Sequence, residues 1–304
     1  MVMDTTQVHL PKTVASAVID KVKDTSTIAA LSPSTPQIFT DKEYMVFNGK
    51  AEADVTAEGQ TKSTYEQDLD YVTGKRFKVQ TTTRVSSELK WEDEDNRFQI
   101  ISSIQTDQAQ ALARALDYVV YHAINPKSGE KLTGFDALAD QAVQVTAGDD
   151  EVQNVDALAD ALNQTYDING VALSRTWASR LRKVRVPNTG MRFYPDIPLN
   201  LNVGNLEGID AATSGTVNGT LAKTPTNVLA IMGDFSLIKW GMIRDITSEI
   251  IPYGDPDQTG VDLKAHNQIA YRTEAFFSYA VLEPKAFAVL KSAPAASAKT
   301  SRAK

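Results

Sequence analysis

Residues 95–124 read DNRFQIISSIQTDQAQALARALDYVVYHAI. Apolar side chains recur at Phe98, Ile101, Ile104, Leu112, Ala115, Leu116, Val119, Ala123 and Ile124, the three-and-four spacing that lines one face of a helix. Asp93, Asp95 and Asn96 put acids and a capping side chain at its start, where unpaired N–H groups and the positive end of the dipole favour them. Asn125-Pro126 marks the stop, because a residue before proline avoids the helical region. At ~1.5 Å per residue the rod spans about 45 Å, longer than most helices of a compact domain, and reads as a strut. The chain before it is mostly extended and polar; the chain after it can build a core.

A chain of 304 residues and 33.2 kDa allows one large domain or two modest ones. Its 42% hydrophobic and 23% charged residues match an ordinary soluble protein. With no cysteine, disulfides and thiolate metal sites are excluded, and His9, His122 and His266 lie too far apart in sequence to suggest zinc. No basic segment followed by an apolar stretch opens the chain, and no apolar run is long enough to cross a bilayer. Neither signal peptide nor membrane helix is therefore expected, and the protein is expected to stay in the cytoplasm where it is made. A formal net charge of -7 argues against a conventional nucleic-acid surface, which needs a dominant basic patch.

Residues 1–40 do not read as a globular unit. An amphipathic piece at 12–22 leads into LSPSTPQIF, where Pro33 and Pro36 favour an extended path, so this is an arm; a frayed terminus is the plain alternative. From 41 to 88 the pattern is period-two. YMVF before Asn48-Gly49 and AEADV after it suggest a hairpin, and KRFKVQTTTRVS is a long strand in which Phe77, Val79, Thr81 and Thr83 alternate with Lys78, Gln80 and Thr82. The polar stretch between them cannot bury itself, so it waves in solvent or, the favoured reading, lies on another molecule. Beyond the strut, Asn154 is expected to cap a helix reaching Tyr166, with Val155, Leu158 and Leu162 inward, and Ser174 a second one carrying Trp177, Leu181 and Val184. NVLAIMGDF reads as a buried strand, QIAYRTEAFFSYAVLEP as two strands or one bent one, and the tail from 294 as low-complexity.

Chemistry-bearing patterns fall short. DPDQTG at 255–260 copies the opening of a calcium loop, but position twelve is His266 where a bidentate glutamate belongs, so a proline-containing turn is expected. Gly59-Gln60-Thr61-Lys62-Ser63 lacks the glycine before the lysine of a phosphate loop. Arg175, Arg180, Arg182, Lys183 and Arg185 form the strongest charge cluster, read as a solvated helix face that pairs with acids on neighbours. His122 at the helix end is assigned to the dipole, and the tryptophans to core or interface. No nucleophile, base and orienter come together, so the chain is not expected to be an enzyme and no cofactor is expected.

With these segments in order, the chain resembles the tailed-phage major capsid proteins of the Hong Kong 97 type. The resemblance rests on Glu58-Gly59 in the extended loop and on Arg84-Val85-Ser86-Ser87-Glu88-Leu89 ahead of the long helix. It continues in Gly233-Asp234-Phe235-Ser236, Arg272-Thr273-Glu274-Ala275 and Pro284-Lys285-Ala286-Phe287-Ala288-Val289-Leu290. It implies an α+β capsid fold: an N-terminal arm (1–40), an extended β-hairpin loop (41–88), a peripheral domain with the spine helix (89–150 and 262–293), an axial α/β domain (151–261) and a tail (294–304). The arm begins almost at Met1, which implies a separate scaffolding protein, and the family's Gly-x-Pro turn is replaced around Tyr194-Pro195-Asp196-Ile197-Pro198.

The implied function is self-assembly through pentamers and hexamers into an icosahedral shell in the virion, put together in the host cytoplasm. The shell would enclose double-stranded DNA without sequence specificity, with a portal protein as a further partner and no membrane. Loop acids Glu52, Asp54, Glu58, Glu66, Asp68 and Asp70 would seek basic residues across the interface, the cluster of Arg175, Arg180, Arg182, Lys183 and Arg185 being one target. Some members cross-link a loop lysine to an asparagine; Lys50 and Lys62 are suitably placed, although solubilising lysines are the preferred reading. A bacterial nanocompartment shell, an α/β enzyme, and a tail-tube or decoration protein stay open as alternatives.

Overall fold

The computed structural model describes residues 26–36, 42–47, 53–61, 64, 69–88, 90 and 100–293. The piece at 12–22, Asn48-Gly49, Trp91, the acids ahead of the long helix and the tail from 294 lie outside them.

The long helix, α2, runs Ile100–His122. It stops short of Ile124 because Ala123 adopts a left-handed conformation (φ 51), with its N–H on the Val119 carbonyl at 3.0 Å. The single apolar face does not hold at its inner end. From 112 to 124 every side chain but that of Arg114 is buried, Ala113, Val120 and Tyr121 included, so the strut ends inside the core. A helix apolar all round belongs in an interior, and the run ALDYVVYHAI has that composition.

That interior faces a six-stranded mixed sheet. Its strands are β4 (Val143–Thr146), β5 (Gly170–Ser174), β6 (Asn205–Leu206), β7 (Ile209–Ser214), β8 (Val228–Gly233) and β11 (Phe287–Lys291), in the order β4-β11-β8-β5-β7-β6. Both faces are covered, which accounts for its apolar strands. Phe287 and Val289 join Leu116 and Val120 of α2 on one side, while Ala288 and Leu290 meet α4 (Glu151–Asp160) and α5 (Arg175–Lys183) on the other. β11, far along the chain, thus sits inside a sheet whose other members come from 143–233. A short helix, α3 (Leu138–Gln141), precedes β4.

Ser174 caps α5 through the Trp177 N–H, as expected. α4 differs: its cap is Asp150, accepting from the Val152 N–H at 3.0 Å, and Asn154 lies one turn in. The buried Asn154 amide instead holds Gly148 at both its N–H and its carbonyl, a side-chain competition with backbone that sequence does not resolve. The helix also ends at Asp160, before Tyr166.

A second, antiparallel sheet is formed by β3 (Lys75–Ser86), β10 (Gln268–Val281) and β9 (Ile238–Ile251), in the order β3-β10-β9. β10 is one strand, irregular near Phe276. Gln108 pins α2 to this sheet, donating to the Tyr271 carbonyl at 3.0 Å and accepting from Thr273 at 2.6 Å. Phe77 stacks on Phe277 at 5.5 Å and meets Phe135 edge-on at 6.3 Å, a contact that favours the sheet beyond area burial.

The expected hairpin pairs elsewhere. β1 (Glu43–Phe47) is antiparallel to β2 (Leu69–Thr73), Glu43 opposite Thr73 and Phe47 opposite Leu69, whereas 53–57 is irregular. AEADV is poor in strand formers and LDYVT is richer, so propensity outweighs the short-range turn signal. Part of the expected arm is also built into the body. Helix α1 (Thr27–Leu31) buries Ile28 completely, Ser32 donates to the Ile238 carbonyl at 2.7 Å, and the Trp240 indole donates to the Ser32 carbonyl at 3.0 Å.

Candidate functional site

The buried end of α2 carries polar side chains that an all-apolar core would not need. Asp117 is fully enclosed and its carboxylate is surrounded by donors. The Thr27 N–H and hydroxyl each lie 3.0 Å away, the Thr216 hydroxyl 2.6 Å, the Ile28 N–H 3.3 Å, and the Ser26 hydroxyl completes the set. Burial pushes the carboxyl above its ordinary range, and the bonds from Ser26, Thr216 and Thr27 pull it back. Tyr121, one turn on, meets the Thr27 hydroxyl at 2.9 Å; burial, with Asp117 nearby, drives its phenol well up.

His122 faces the carbonyls of Thr216 and Val217 at 3.1 and 3.0 Å, and since both can only accept, its Nε2 carries the proton. Burial lowers its pKa, so the ring is a neutral donor that fixes the loop after β7, and not the charged partner of the helix dipole that sequence suggested. The Tyr118 hydroxyl reaches Thr220 at 3.1 Å. Residues 26–28, the end of α2 and the loop 214–220 therefore meet in one polar junction. Asp117 was missed because a lone acid in an apolar run gives no hint of donors ninety residues away.

The outer surface divides differently. The β1–β2 ribbon exposes apolar groups: Met45 and Tyr71 face each other across the strands, each 61% exposed, and Leu69 and Val55 are exposed too. Asp54 and Glu58 are exposed in the connecting loop, where Ala57 to Gln60 makes a turn closed by the Gln60 N–H on the Ala57 carbonyl at 3.1 Å, with Gly59 at φ +83. That left-handed turn is the reason for the glycine. Glu52, Lys50, Lys62, Glu66 and Asp68 lie outside the described residues.

On α5 and just beyond it, Arg175, Arg180, Lys183 and Arg185 are exposed and Arg182 is half-buried, its Nε without a hydrogen-bond partner. Among the described residues Glu151 is the one acid paired with this cluster, 3.8 Å from Arg180, and it is already bound by the Trp177 indole at 2.7 Å. The chain then doubles back, Phe193 N–H on the Val184 carbonyl at 3.1 Å, which sets Arg192 opposite Arg185 and exposes Met191 and Phe193 beside them. Arg192 was not read from the sequence because it joins the cluster only through this return. Among the described residues, Asp54 and Glu58 are not joined to the predicted bases within the chain: no described ion pair involves either. An open cleft of 480 Å³ at the ribbon's base holds Lys75 and Lys78, but these are paired with Asp136 at 2.5 Å and Glu274 at 2.8 Å.

Against known proteins, the family model described as the Phage capsid family matches residues 6–292. A solved structure from Mycobacterium phage Ogopogo is 32% identical, with a TM-score of 0.79, covering 88% of this chain and 92% of that chain. One from Gordonia phage Cozz is 29% identical, with a TM-score of 0.72, covering 89% and 87% respectively. The capsid of a native GTA particle, 14% identical with a TM-score of 0.57 over 97% of this chain and 95% of that one, is alike in fold alone. No curated protein matches the chain significantly.

Proposed function

The chain belongs to the phage capsid family and is a major capsid protein with the Hong Kong 97-type fold; from that premise we propose how its parts serve the shell. A rigid body offers head-to-tail contacts that close into pentamers and hexamers, and these rings join edge to edge. The β1–β2 ribbon and its loop grip a neighbouring subunit. The observation that carries this is the exposed Met45 and Tyr71 pair: a two-stranded ribbon is marginal alone, and among the described residues nothing covers these apolar groups, so a neighbouring subunit supplies the cover.

The loop acids Asp54 and Glu58, with Glu52 and Glu66, meet the cations Arg175, Arg180, Arg182, Lys183 and Arg185 of the neighbour. The sparsely paired α5 face supports this target over the cleft, whose lysines are occupied. Each contact is weak, and many together act at high effective concentration, which leaves single contacts free to correct errors. Expansion on filling pivots at the ends of α2 and at the base of the ribbon, two-state elements that a load can bias.

The working partners are a separate scaffolding protein, a portal protein and double-stranded DNA held without sequence specificity, with assembly in the host cytoplasm. The net charge of -7 suits a wall that does not grip packaged DNA. Among the described residues no helix is long and apolar enough to cross a membrane. The role is structural and not catalytic. Expression with and without a scaffolding protein, followed by negative-stain microscopy and nuclease protection, tests the reading: closed shells holding protected DNA in infected cells support it. Shells enclosing only protein cargo would favour a nanocompartment instead, a reading that the family match does not favour.

A further inference from the structure

The loop between β9 and β10 carries DPDQTG at 255–260. Asp255, Asp257 and Thr259 stand at the first, third and fifth positions, Gly260 at the sixth with φ +81, and the Val261 carbonyl at the seventh. These are positions from which a calcium loop draws its oxygens and takes its sharp turn. Here all four oxygen-bearing positions converge on the guanidinium of Arg84, near the end of β3. Nη2 donates to Asp255 Oδ1 and to Thr259 Oγ1, each at 2.6 Å, and to Asp257 Oδ1. Nε lies 2.9 Å from both Asp257 oxygens, and Nη1 donates to the Val261 carbonyl at 3.0 Å.

The cage is held by its own backbone. Asp255 accepts from the N–H groups of Thr259 at 3.1 Å and Gly260 at 2.7 Å, and Asp262 from those of Gly254 at 3.1 Å and Ala265 at 2.9 Å. Arg272 of β10 braces it from behind through the Pro256 carbonyl at 2.5 Å. At position twelve His266 turns back, its Nδ1 on the Asp262 carbonyl at 2.9 Å, so no bidentate carboxylate closes the ring. A cation from another strand supplies what the loop lacks.

We infer that Arg84 is a tethered cation standing where such loops hold calcium, and that it latches the end of β3 to the β9–β10 loop without a metal. A planar guanidinium with five N–H donors satisfies several oxygens at once, which a lysine ammonium does not do in the same geometry. The latch fixes the point at which β3 leaves its sheet on the way to α2. It is intramolecular, so it holds in the isolated subunit and stands apart from the shell reading.

Hydrogen exchange over 254–266 in the purified full-length subunit tests it. Wild type keeps this loop protected, indifferent to millimolar calcium or to a chelator. Arg84→Ala loses roughly tenfold of that protection, and Arg84→Lys loses part of it. The double variant Arg84→Ala with His266→Glu, which completes the calcium set, regains protection in millimolar calcium. Should Arg84→Ala fail to fold, Asp255→Asn with Asp257→Asn, its far-ultraviolet circular dichroism unchanged, reads the same latch from the other side and loses protection likewise. Unaltered protection in the alanine and asparagine variants would overturn the inference. So would a calcium response in wild type, or none in the completed loop.

Discussion

The inner end of α2 and the β1–β2 ribbon are both continuous stretches of regular structure, yet they are held by opposite means. Leu116, Val120 and Tyr121 are fully enclosed by other elements of the chain, whereas Met45 and Tyr71 are each 61% exposed on strands that, among the described residues, pair with each other alone. At ~25 cal/mol per Å² of apolar area, the helix end contributes to the stability of one subunit, while the exposed side chains of the ribbon contribute little. Local regularity is thus no guide to where an element's stability comes from. For the proposed grip the separation is useful, because it would let the body be stable before assembly while the ribbon gains its contacts from a neighbouring copy.

The helix end is the more sensitive of the two to substitution. Leu116→Ala should cost about 2–5 kcal/mol in denaturant unfolding of the unassembled subunit; a loss below about 1 kcal/mol would mean that the helix end is not the core. Asp117→Ala strips the acceptor from buried donors and should cost about 3 kcal/mol, with faster exchange at 26–32 as its local signature. A general loss with 26–32 still protected would disconnect Asp117 from the arm.

His122 sharpens the contrast through pH. Its folded pKa is lowered, so the unfolded chain takes up a proton that the folded one does not, and stability falls as pH drops below about 6.5, levelling off beneath the folded value. The slope cannot exceed about 1.4 kcal/mol per pH unit for one group. His122→Gln, which keeps a donor for the two carbonyls, should flatten that slope in thermal melts between pH 5.5 and 7.5. The smallest effect on the subunit belongs to the ribbon. Met45→Ser with Tyr71→Ser should shift unfolding by less than about 0.5 kcal/mol while closed particles are lost from sedimentation profiles.

Much of the body was legible in the sequence because local and global preferences agree there. Ser174 caps α5, VLAIMG is a buried strand, and KRFKVQTTTRVS alternates through β3. The features that were not legible depended on distance along the chain. Asn48-Gly49 gave a strong turn signal, but β1 chose LDYVT some twenty residues on, since pairing is decided by the better strand and not the nearer one. Asp117 and Arg84 looked like ordinary charges until residues from other elements enclosed them. The loop acids and the α5 cations were both identified as charged groups, and the pairing proposed for them runs between chains, where a sequence read alone offers no geometry to check it.

Hydrogen exchange followed by mass spectrometry on unassembled subunits and on finished particles goes directly to the contrast. Peptides from β1 and β2 should exchange nearly as fast as unstructured chain in the free subunit and slow by at least roughly a hundredfold in the shell, while 112–122 stays protected in both. Equal, strong protection of β1 and β2 in the free subunit would rule out a grip ordered by neighbouring copies, because the ribbon would then owe its order to its own chain.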